Sequence, residues 1–425
     1  MKPDGDERAD GGLPEDALLE HAFPYGAPLP PHLLINRPFL WLILGEAIAG
    51  IAFWSFLATV FADAVFRFDA PASRMALLGA SLSVPFMLFI PLQGILVDRW
   101  SPKWLNFIGY AVLVTAIPLA AYASSMIWLY ASSFLVGLAF AAIEPARSAL
   151  TGLLIEESKL VRANGMISAA FQGSLVAGTA IGAALLVGGT SHRVYEVAFV
   201  VALISLPFQV LVPDVRQGGE RPALSLRDLA QGFHTSWHLR ELRLLLFVTG
   251  IGWMMLSFFW VLEPRFIQQV LHQGEHAVPI LWSVHGVGAI LGAIFISRLP
   301  DGEGREPSLV ALGVVLVGAG ILLYAGVGTY QVAFAGAAFM GGGIAFIFAP
   351  LLALIQRIVG AEQRGRVTSV YAAMQEGMGV GAAVLILVLS PVIVIRPTLV
   401  GAGVVALLTG ALGIRAAAAP GGPDG

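Results

Sequence analysis

Charged residues in this chain fall into short clusters, and the stretches between the clusters are almost wholly apolar. A helix of about 20 apolar residues crosses the ~30 Å hydrocarbon core of a bilayer. The short alternating segments of a membrane β-barrel are absent from the pattern. The pattern therefore predicts an all-α polytopic membrane protein with twelve spans, at residues 39–62, 76–97, 104–123, 126–149, 163–188, 194–213, 243–263, 278–298, 308–328, 330–356, 367–390 and 392–414.

Lysine and arginine are unevenly divided between the two sides of such a bundle. If the N-terminus is inside, 19 of the 24 lie in or beside cytoplasmic segments and five lie on the other side. Because cytoplasmic loops carry the excess of these residues, both termini are predicted to be cytoplasmic. The composition, rich in arginine, glycine and alanine, favours a bacterial chain, and hence the cytoplasmic (inner) membrane.

The longest internal loop separates the spans into two sets of six. Within it, Ser225 followed by Asp228 resembles a helix start, and the rest predicts an amphipathic helix along the cytoplasmic face. The predicted organisation is a flexible acidic cytoplasmic tail, an N-terminal six-helix half, this linker, a C-terminal six-helix half and a disordered tail, at residues 1–38, 39–214, 215–242, 243–415 and 416–425.

The two halves share a sequence pattern. The stretch GLAFAAIEPARSAL from Gly137 has a counterpart in GIAFIFAPLLAL from Gly343, and each precedes a charged loop and a glycine-rich span. Parallel repeats of this kind place a binding site between the halves near the midplane. The alternative is a chance likeness between spans rich in glycine and alanine.

Composition and motifs exclude several kinds of function. Charged residues make up only 12% of the chain, the net charge is −3, and there is no cysteine. These values argue against nucleic-acid binding, and the missing cysteines exclude disulfides and thiolate metal sites. No phosphate-binding loop or catalytic constellation is recognisable, so we predict no enzyme activity, no cofactor and no metal site.

A motif between the second and third spans connects the chain to a known family. Gly94, Asp98, Arg99 and Lys103 in GILVDRWSPKW resemble the signature of the major facilitator superfamily, with Ser101 and Pro102 departing from it. Within that superfamily the chain resembles the branch of enterobactin-type siderophore exporters and lysophospholipid transporters. The stretches that carry this narrower resemblance are NRPFLWLILGEAIAG, EPARSALTGLL, LVRANGMISA, GVGAILGA and RGRV.

The resemblance implies a conformational gate on the cytoplasmic side. A glycine lets helices two and eleven approach closely, Asp98 faces the positive end of helix eleven near Arg366, and Arg99 or Lys103 pairs with Glu144. The alternative is that these charges only set the topology. The residues assigned to the gate are Gly94, Asp98, Arg99, Lys103, Glu144, Arg147 and Arg366.

Ionisable groups at membrane depth are costly and are therefore candidates for function. Glu376 lies ten residues past Arg366, or about 15 Å at 1.5 Å per residue, which is near the midplane. The predicted substrate and proton-coupling residues are Glu376, Glu46, Gln172, Gln375 and His285. The alternatives are a structural hydrogen bond for Glu376, an interfacial position for Glu46 and simple packing for His285.

Further charges lie near the outer ends of the spans. Asp63, Glu263 and Arg265 are expected to be interfacial there, with Glu263 and Arg265 as an alternative outer gate. Two positions depart from the usual pattern of proton-coupled members, since Ser133 replaces a span-four arginine and Gly178 is followed by Thr179 rather than proline.

The resemblance implies a secondary active transporter that works by alternating access as an efflux antiporter. Its expected substrate is a small amphipathic solute, drug or siderophore-like metabolite, with protons as the coupling ion. The alternatives are a lysophospholipid transporter and a non-transporting membrane sensor. The expected partners are the substrate, membrane lipids and protons, with no nucleic acid, and the chain is expected to be a monomer.

Overall fold

The computed structural model describes residues 36–156, 159–215, 226–299 and 304–418. At residues 90–99, 161, 226–229, 361 and 362 it describes the backbone and not the side chains. The described residues form helices joined by short turns. Its helices are α1 Arg37–Phe66, α2 Ala72–Arg99, α3 Pro102–Ala121, α4 Met126–Leu154, α5 Leu160–Val187, α6 Ser191–Leu211, α7 Leu226–His238, α8 Arg240–Gln269, α9 Ala277–Ile296, α10 Glu306–Val327, α11 Tyr330–Ile358, α12 Ala361–Leu389 and α13 Ile395–Ala418.

Twelve of these helices, all except α7, are long and apolar enough to cross a membrane. The predicted fold class, an all-α protein with twelve spans, is therefore confirmed. The ends of the helices differ from the predicted spans by a few residues. The side chain of Asn36 accepts a hydrogen bond from the Phe39 amide, so α1 begins at Arg37. At the other end of the chain, α13 continues to Ala418, past the predicted start of the C-terminal tail.

Helix α7 lies in the stretch predicted as the linker, and it packs on α12. Thr235 donates a hydrogen bond to Gln363 at 3.1 Å, and Arg366 donates one to Gln231 at 2.9 Å. Phe233 and Trp237 are exposed on α7, as an amphipathic helix at a membrane surface requires. The predicted helix start, Ser225 and Asp228, lies outside the described side chains.

The helices pair in the same way in both halves. In the first half α1 contacts α5 and α6, α2 contacts α4, and α3 contacts α4 and α6. In the second half α8 contacts α12 and α13, α9 contacts α11, and α10 contacts α11 and α13. Between the halves, α2 contacts α12 and α5 contacts α9. The packing of the helices therefore repeats between the two halves, although the sequences of the halves resemble each other only slightly.

The bundle has two ends, which we call the terminal face, where α1 begins and α13 ends, and the opposite face. Several side-chain contacts between the halves lie between the midplane and the opposite face. Thr179 and Ser283 share a hydrogen bond of 2.7 Å, Arg265 pairs with Asp69, and Trp282 packs on Trp54. These contacts close the opposite face in this structure.

Small residues let α9 and α11 pack closely, as in many membrane helix pairs. A Cβ atom added at Gly341 would collide with the backbone carbonyl of His285, whereas one added at Gly342 would be 3.6 Å from the Gly288 carbonyl. The second distance is an ordinary van der Waals contact.

We therefore expect Gly341→Ala to destabilise the protein by about 1–3 kcal/mol, the usual cost of overpacking. Gly342→Ala is the matched control and is expected to have little effect. The measurement is the thermal unfolding midpoint of each purified variant in detergent. Equal midpoints for the two variants would contradict the close approach of α9 and α11 at Gly341.

Candidate functional site

An ion-pair cluster joins α1 and α4 inside the first half. The Arg147 guanidinium donates from Nη1 to Oε2 of Glu46 at 3.3 Å and from Nη2 to the carboxylate of Glu144. Glu144 and Arg147 lie one turn apart on α4, so their side chains share a helix face. Glu46 is buried, with 7% of its surface exposed. One guanidinium thus serves two carboxylates.

The cluster opens into a small cavity. Its other walls are largely apolar and aromatic, and the complete lining is Glu46, Ala49, Gly50, Phe53, Tyr110, Leu113, Phe140, Arg147 and Phe171. The second oxygen of Glu46, Oε1, is buried and makes no hydrogen bond of full geometry among the described residues, and the Tyr110 hydroxyl lies close to this carboxylate. Since a buried polar atom without a full hydrogen bond is costly, Oε1 is a candidate contact for a ligand or a proton.

Glu376 lies where α12 meets α2 of the first half. The Ser83 hydroxyl of α2 lies within hydrogen-bonding reach of the Glu376 carboxylate. The carboxylate of Glu144 is close enough to repel it electrostatically. A Cβ atom added at Gly379, one turn further along α12, would lie 3.4 Å from the Ser83 hydroxyl. That distance is an ordinary van der Waals contact, so α12 packs against α2 at this level, and the Glu376 carboxylate lies between the two halves.

Aromatic rings cover the junction of the halves beside this cluster. The indole of Trp54 meets Phe171 edge-on, with ring centroids 5.5 Å apart, and lies 6.3 Å from Trp282 of the second half. Its Nε1 atom is buried without a hydrogen-bond partner in the described structure. The junction thus offers an aromatic wall and a free donor.

The structure brings together only part of the predicted substrate site. Glu46 and Glu376 both lie near Glu144, whereas Gln172 and Gln375 are half-buried on α5 and α12. His285 is buried in α9, where its ring packs edge-on against Trp260 at a centroid distance of 5.6 Å. That environment favours the packing role that was the alternative for His285.

The structure describes only part of the predicted gate, and Arg99, one of the two predicted partners of Glu144, lies outside the described side chains. Glu144 pairs with Arg147 rather than with Lys103, because Arg147 lies on the same face of α4 and is held by Glu46 as well. The Lys103 ammonium instead lies over the ring of Trp104, 5.4 Å from its centroid. Gly94, Asp98 and Arg99 lie outside the described side chains, and Arg366 has its place against α7.

Two acidic residues expected at the interface are buried instead. Asp63 is fully buried and accepts a hydrogen bond from Tyr195 at 3.0 Å. Glu263 is 2% exposed and is bonded within the second half, while Arg265 pairs with Asp69 of the first half. The helices α1 and α8 run past these positions to Phe66 and Gln269, so the two acids lie inside packed helices. The partner tyrosine is far away in sequence, and no local signal marks it.

The whole length of the described bundle can be compared with known proteins. The sequence matches the family profile described as Major Facilitator Superfamily over residues 42–243 and again over 242–423. The chain belongs to the Major Facilitator Superfamily. This membership, together with twelve membrane-spanning helices, makes it an integral membrane protein and an MFS-type transporter rather than an enzyme.

Two curated relatives come from Bacillus subtilis (strain 168), and both are described as uncharacterized MFS-type transporters. YfiS is 23% identical over 347 residues, which cover 78% of this chain and 82% of YfiS. YfmI is 22% identical over 276 residues, which cover 63% of this chain and 68% of YfmI.

Solved structures share the fold at low sequence identity. A mutant of the nucleoside transporter NupG is 14% identical, with a TM-score of 0.67 over 89% of this chain and 98% of NupG. A POT family transporter in complex with 5-aminolevulinic acid is 12% identical, with a TM-score of 0.71 over 88% of this chain and 95% of its own. A bacterial homolog of the human lysosomal transporter Spinster is 15% identical, with a TM-score of 0.64 over 90% and 97%.

Proposed function

We propose that this transporter exports a small amphipathic solute, such as a drug or a siderophore-like metabolite, in exchange for protons that bind at Glu376. The position of Glu376 carries the proposal. Its carboxylate lies between the two halves, beside the Ser83 hydroxyl, and the described structure has no basic side chain within ion-pair distance of it. A carboxylate in this position can exchange a proton for a solute as the halves rock.

The chemistry of the site favours an amphipathic cation among such solutes. The carboxylates of Glu46 and Glu144 share the Arg147 guanidinium, and the Glu376 carboxylate lies near that of Glu144. Aromatic rings such as that of Trp54 line the junction, and ring faces attract cations. The charged end of an amphipathic cation would therefore be attracted by the carboxylates, and its apolar part would be buried against the aromatic rings.

Orientation follows from the loop charges. We propose that the terminal face is cytoplasmic, because 19 of the 24 lysines and arginines fall in sequence segments predicted to lie on the side of the N-terminus, and that the membrane is the bacterial inner membrane. With that orientation, the contacts between the halves described above close the face that lies away from the cytoplasm. The narrower placement among siderophore exporters and lysophospholipid transporters stays a prediction.

The first test is a thermal-stability panel on the purified protein and on its Glu376→Gln variant. The panel contains amphipathic cations, siderophores, lysophospholipids and sugars, each at a low and a high pH. Binding to the folded state stabilises it by about 2.7 kcal/mol at a hundredfold excess over Kd. We expect amphipathic cations to raise the midpoint of the native protein and to raise that of the variant less.

Other outcomes would point elsewhere. Stabilisation by lysophospholipids alone would support lipid transport in place of solute export. Binding of a solute that is never moved across proteoliposomes would support the sensor. Equal shifts in both proteins would remove Glu376 from the binding site.

A further inference from the structure

Another buried carboxylate, that of Glu263, lies in the C-terminal half and outside the site described above. Its Oε1 accepts a hydrogen bond from the Tyr324 hydroxyl of α10 at 2.7 Å. Its Oε2 accepts one from the Trp282 indole Nε1 of α9 at 2.8 Å. Both oxygens are therefore held by neutral donors from two other helices.

No cation neutralises this carboxylate within the described residues. Arg265, two residues along the same helix, pairs with Asp69, and Arg67 pairs with Asp63. A buried carboxylate without a counter-ion is costly, so binding a proton is the simplest way to remove its charge.

Other titratable groups around Glu263 come from three elements. At the start of α11, Tyr330 lies near Tyr324 of α10. On α9, His285 lies one turn from Trp282 and packs on Trp260 of α8. In the loop between α8 and α9, burial and then the negative charge of Asp63 raise the pKa of Glu275.

Trp282 connects Glu263 to the closed end of the protein. Its ring lies 6.3 Å from that of Trp54 and 6.0 Å from that of Phe61, both on α1 of the other half. The next residue, Ser283, shares the hydrogen bond with Thr179 across the same interface. The bond from Trp282 to Glu263 therefore fixes the orientation of a ring that seals one half against the other.

We propose that Glu263 is a proton-binding site, separate from the central cavity, that controls how firmly Trp282 closes the opposite face. An ionised carboxylate accepts from both donors, and such charge-assisted bonds are about twice as strong as neutral ones. Once Glu263 holds a proton, its O–H needs an acceptor. Tyr324 can reverse its hydroxyl to accept, but an indole N–H can only donate.

Proton binding thus weakens the bond to Trp282 and favours opening of the opposite face. The inference rests on the proposed alternating access, and it does not require that Glu376 couples protons to solute. Glu263 acts here as a positioning residue, since it reaches the interface only through Trp282.

The test measures the separation of the halves in the full chain with spin labels. The protein has no cysteine, so Thr190→Cys and Thr329→Cys, at exposed positions on the opposite face of each half, provide a single labelled pair. We expect the distance distribution to gain a longer, open population when a mildly alkaline sample is made mildly acidic. With Glu263→Gln, which carries no charge, that population is expected at both pH values, and the pH-dependent shift is lost.

Two further variants distinguish proton binding at Glu263 from a nonspecific weakening of the contacts that close the opposite face. Trp282→Phe keeps a ring at the interface but removes the N–H, so it should also lose the pH-dependent shift. Glu275→Gln, an acid of the same face outside this hydrogen-bonded set, should keep it. In infrared difference spectra, the acid-induced carbonyl stretch of a protonated carboxyl should be smaller in Glu263→Gln than in the native protein.

A native pH shift in Glu263→Gln, or an unchanged infrared band, would overturn the proposal. Neither measurement uses a transported solute, so a negative ligand panel would leave this result standing. Loss of the shift in Glu275→Gln as well as in Glu263→Gln would also overturn it, since the response would then belong to the face as a whole.

Discussion

Glu376→Gln is expected to abolish the accumulation of an amphipathic cation driven by a proton gradient, while leaving downhill exchange of that cation intact. Glutamine keeps the shape of the side chain but cannot exchange a proton. One-for-one exchange of a proton and a monovalent cation moves no net charge, so a pH difference drives it, and each pH unit supports a concentration ratio of about tenfold. That ratio is therefore the size of the expected loss.

Proteoliposomes loaded with the fluorescent cation ethidium provide the measurement. The native protein should build an ethidium gradient when a pH gradient is imposed, and Glu376→Gln should only equilibrate the dye. Glu196→Gln is the matched control, since it removes a titratable carboxylate that is 61% exposed and outside the junction of the halves, and it should retain coupling. A full ethidium gradient in Glu376→Gln would assign coupling to another residue, with Glu46 the next candidate.

Arg147→Gln is expected to destabilise the protein by about 3–5 kcal/mol, the usual cost of removing one partner from a buried ion pair. Arg147 and Glu46 are 16% and 7% exposed, and Oε1 of Glu46 already makes no hydrogen bond of full geometry within the described chain. Without the guanidinium, Glu46 would be a buried charge beside Glu144. The double variant Glu46→Gln/Arg147→Gln removes both charges of the pair and should recover most of the loss.

The comparison pair lies on the terminal face of the same half. Lys159 and Glu156 make an ion pair of 2.6 Å, but their side chains are 42% and 72% exposed. Exposed pairs contribute about 0–1 kcal/mol, so Lys159→Gln should change the unfolding midpoint little. If the two single variants unfold at the same temperature, the pair of Arg147 and Glu46 is hydrated and gives no more stability than a surface pair.

The spans could be predicted because the signal for a membrane helix is local. Each span needs about 20 apolar residues in a row, and nothing elsewhere in the chain alters that count. The depth of Glu376 followed in the same way from its distance along α12. The ion pair of Arg147 and Glu144 could also have been predicted from the sequence, because the two residues lie one turn apart on α4. The motif instead suggested that Glu144 pairs with a basic residue of the loop after α2.

The contacts between distant helices were decided by the tertiary structure alone. Glu263 sits six residues from the end of α8, a 30-residue helix that is about 45 Å long and exceeds the hydrocarbon core. Hydropathy therefore placed Glu263 near the surface, but packing buries it between Tyr324 and Trp282. The pattern of apolar residues along a helix determines that it enters the membrane. Which side chains of other helices it meets depends on how the helices rotate and cross, and that is fixed only when all twelve pack together.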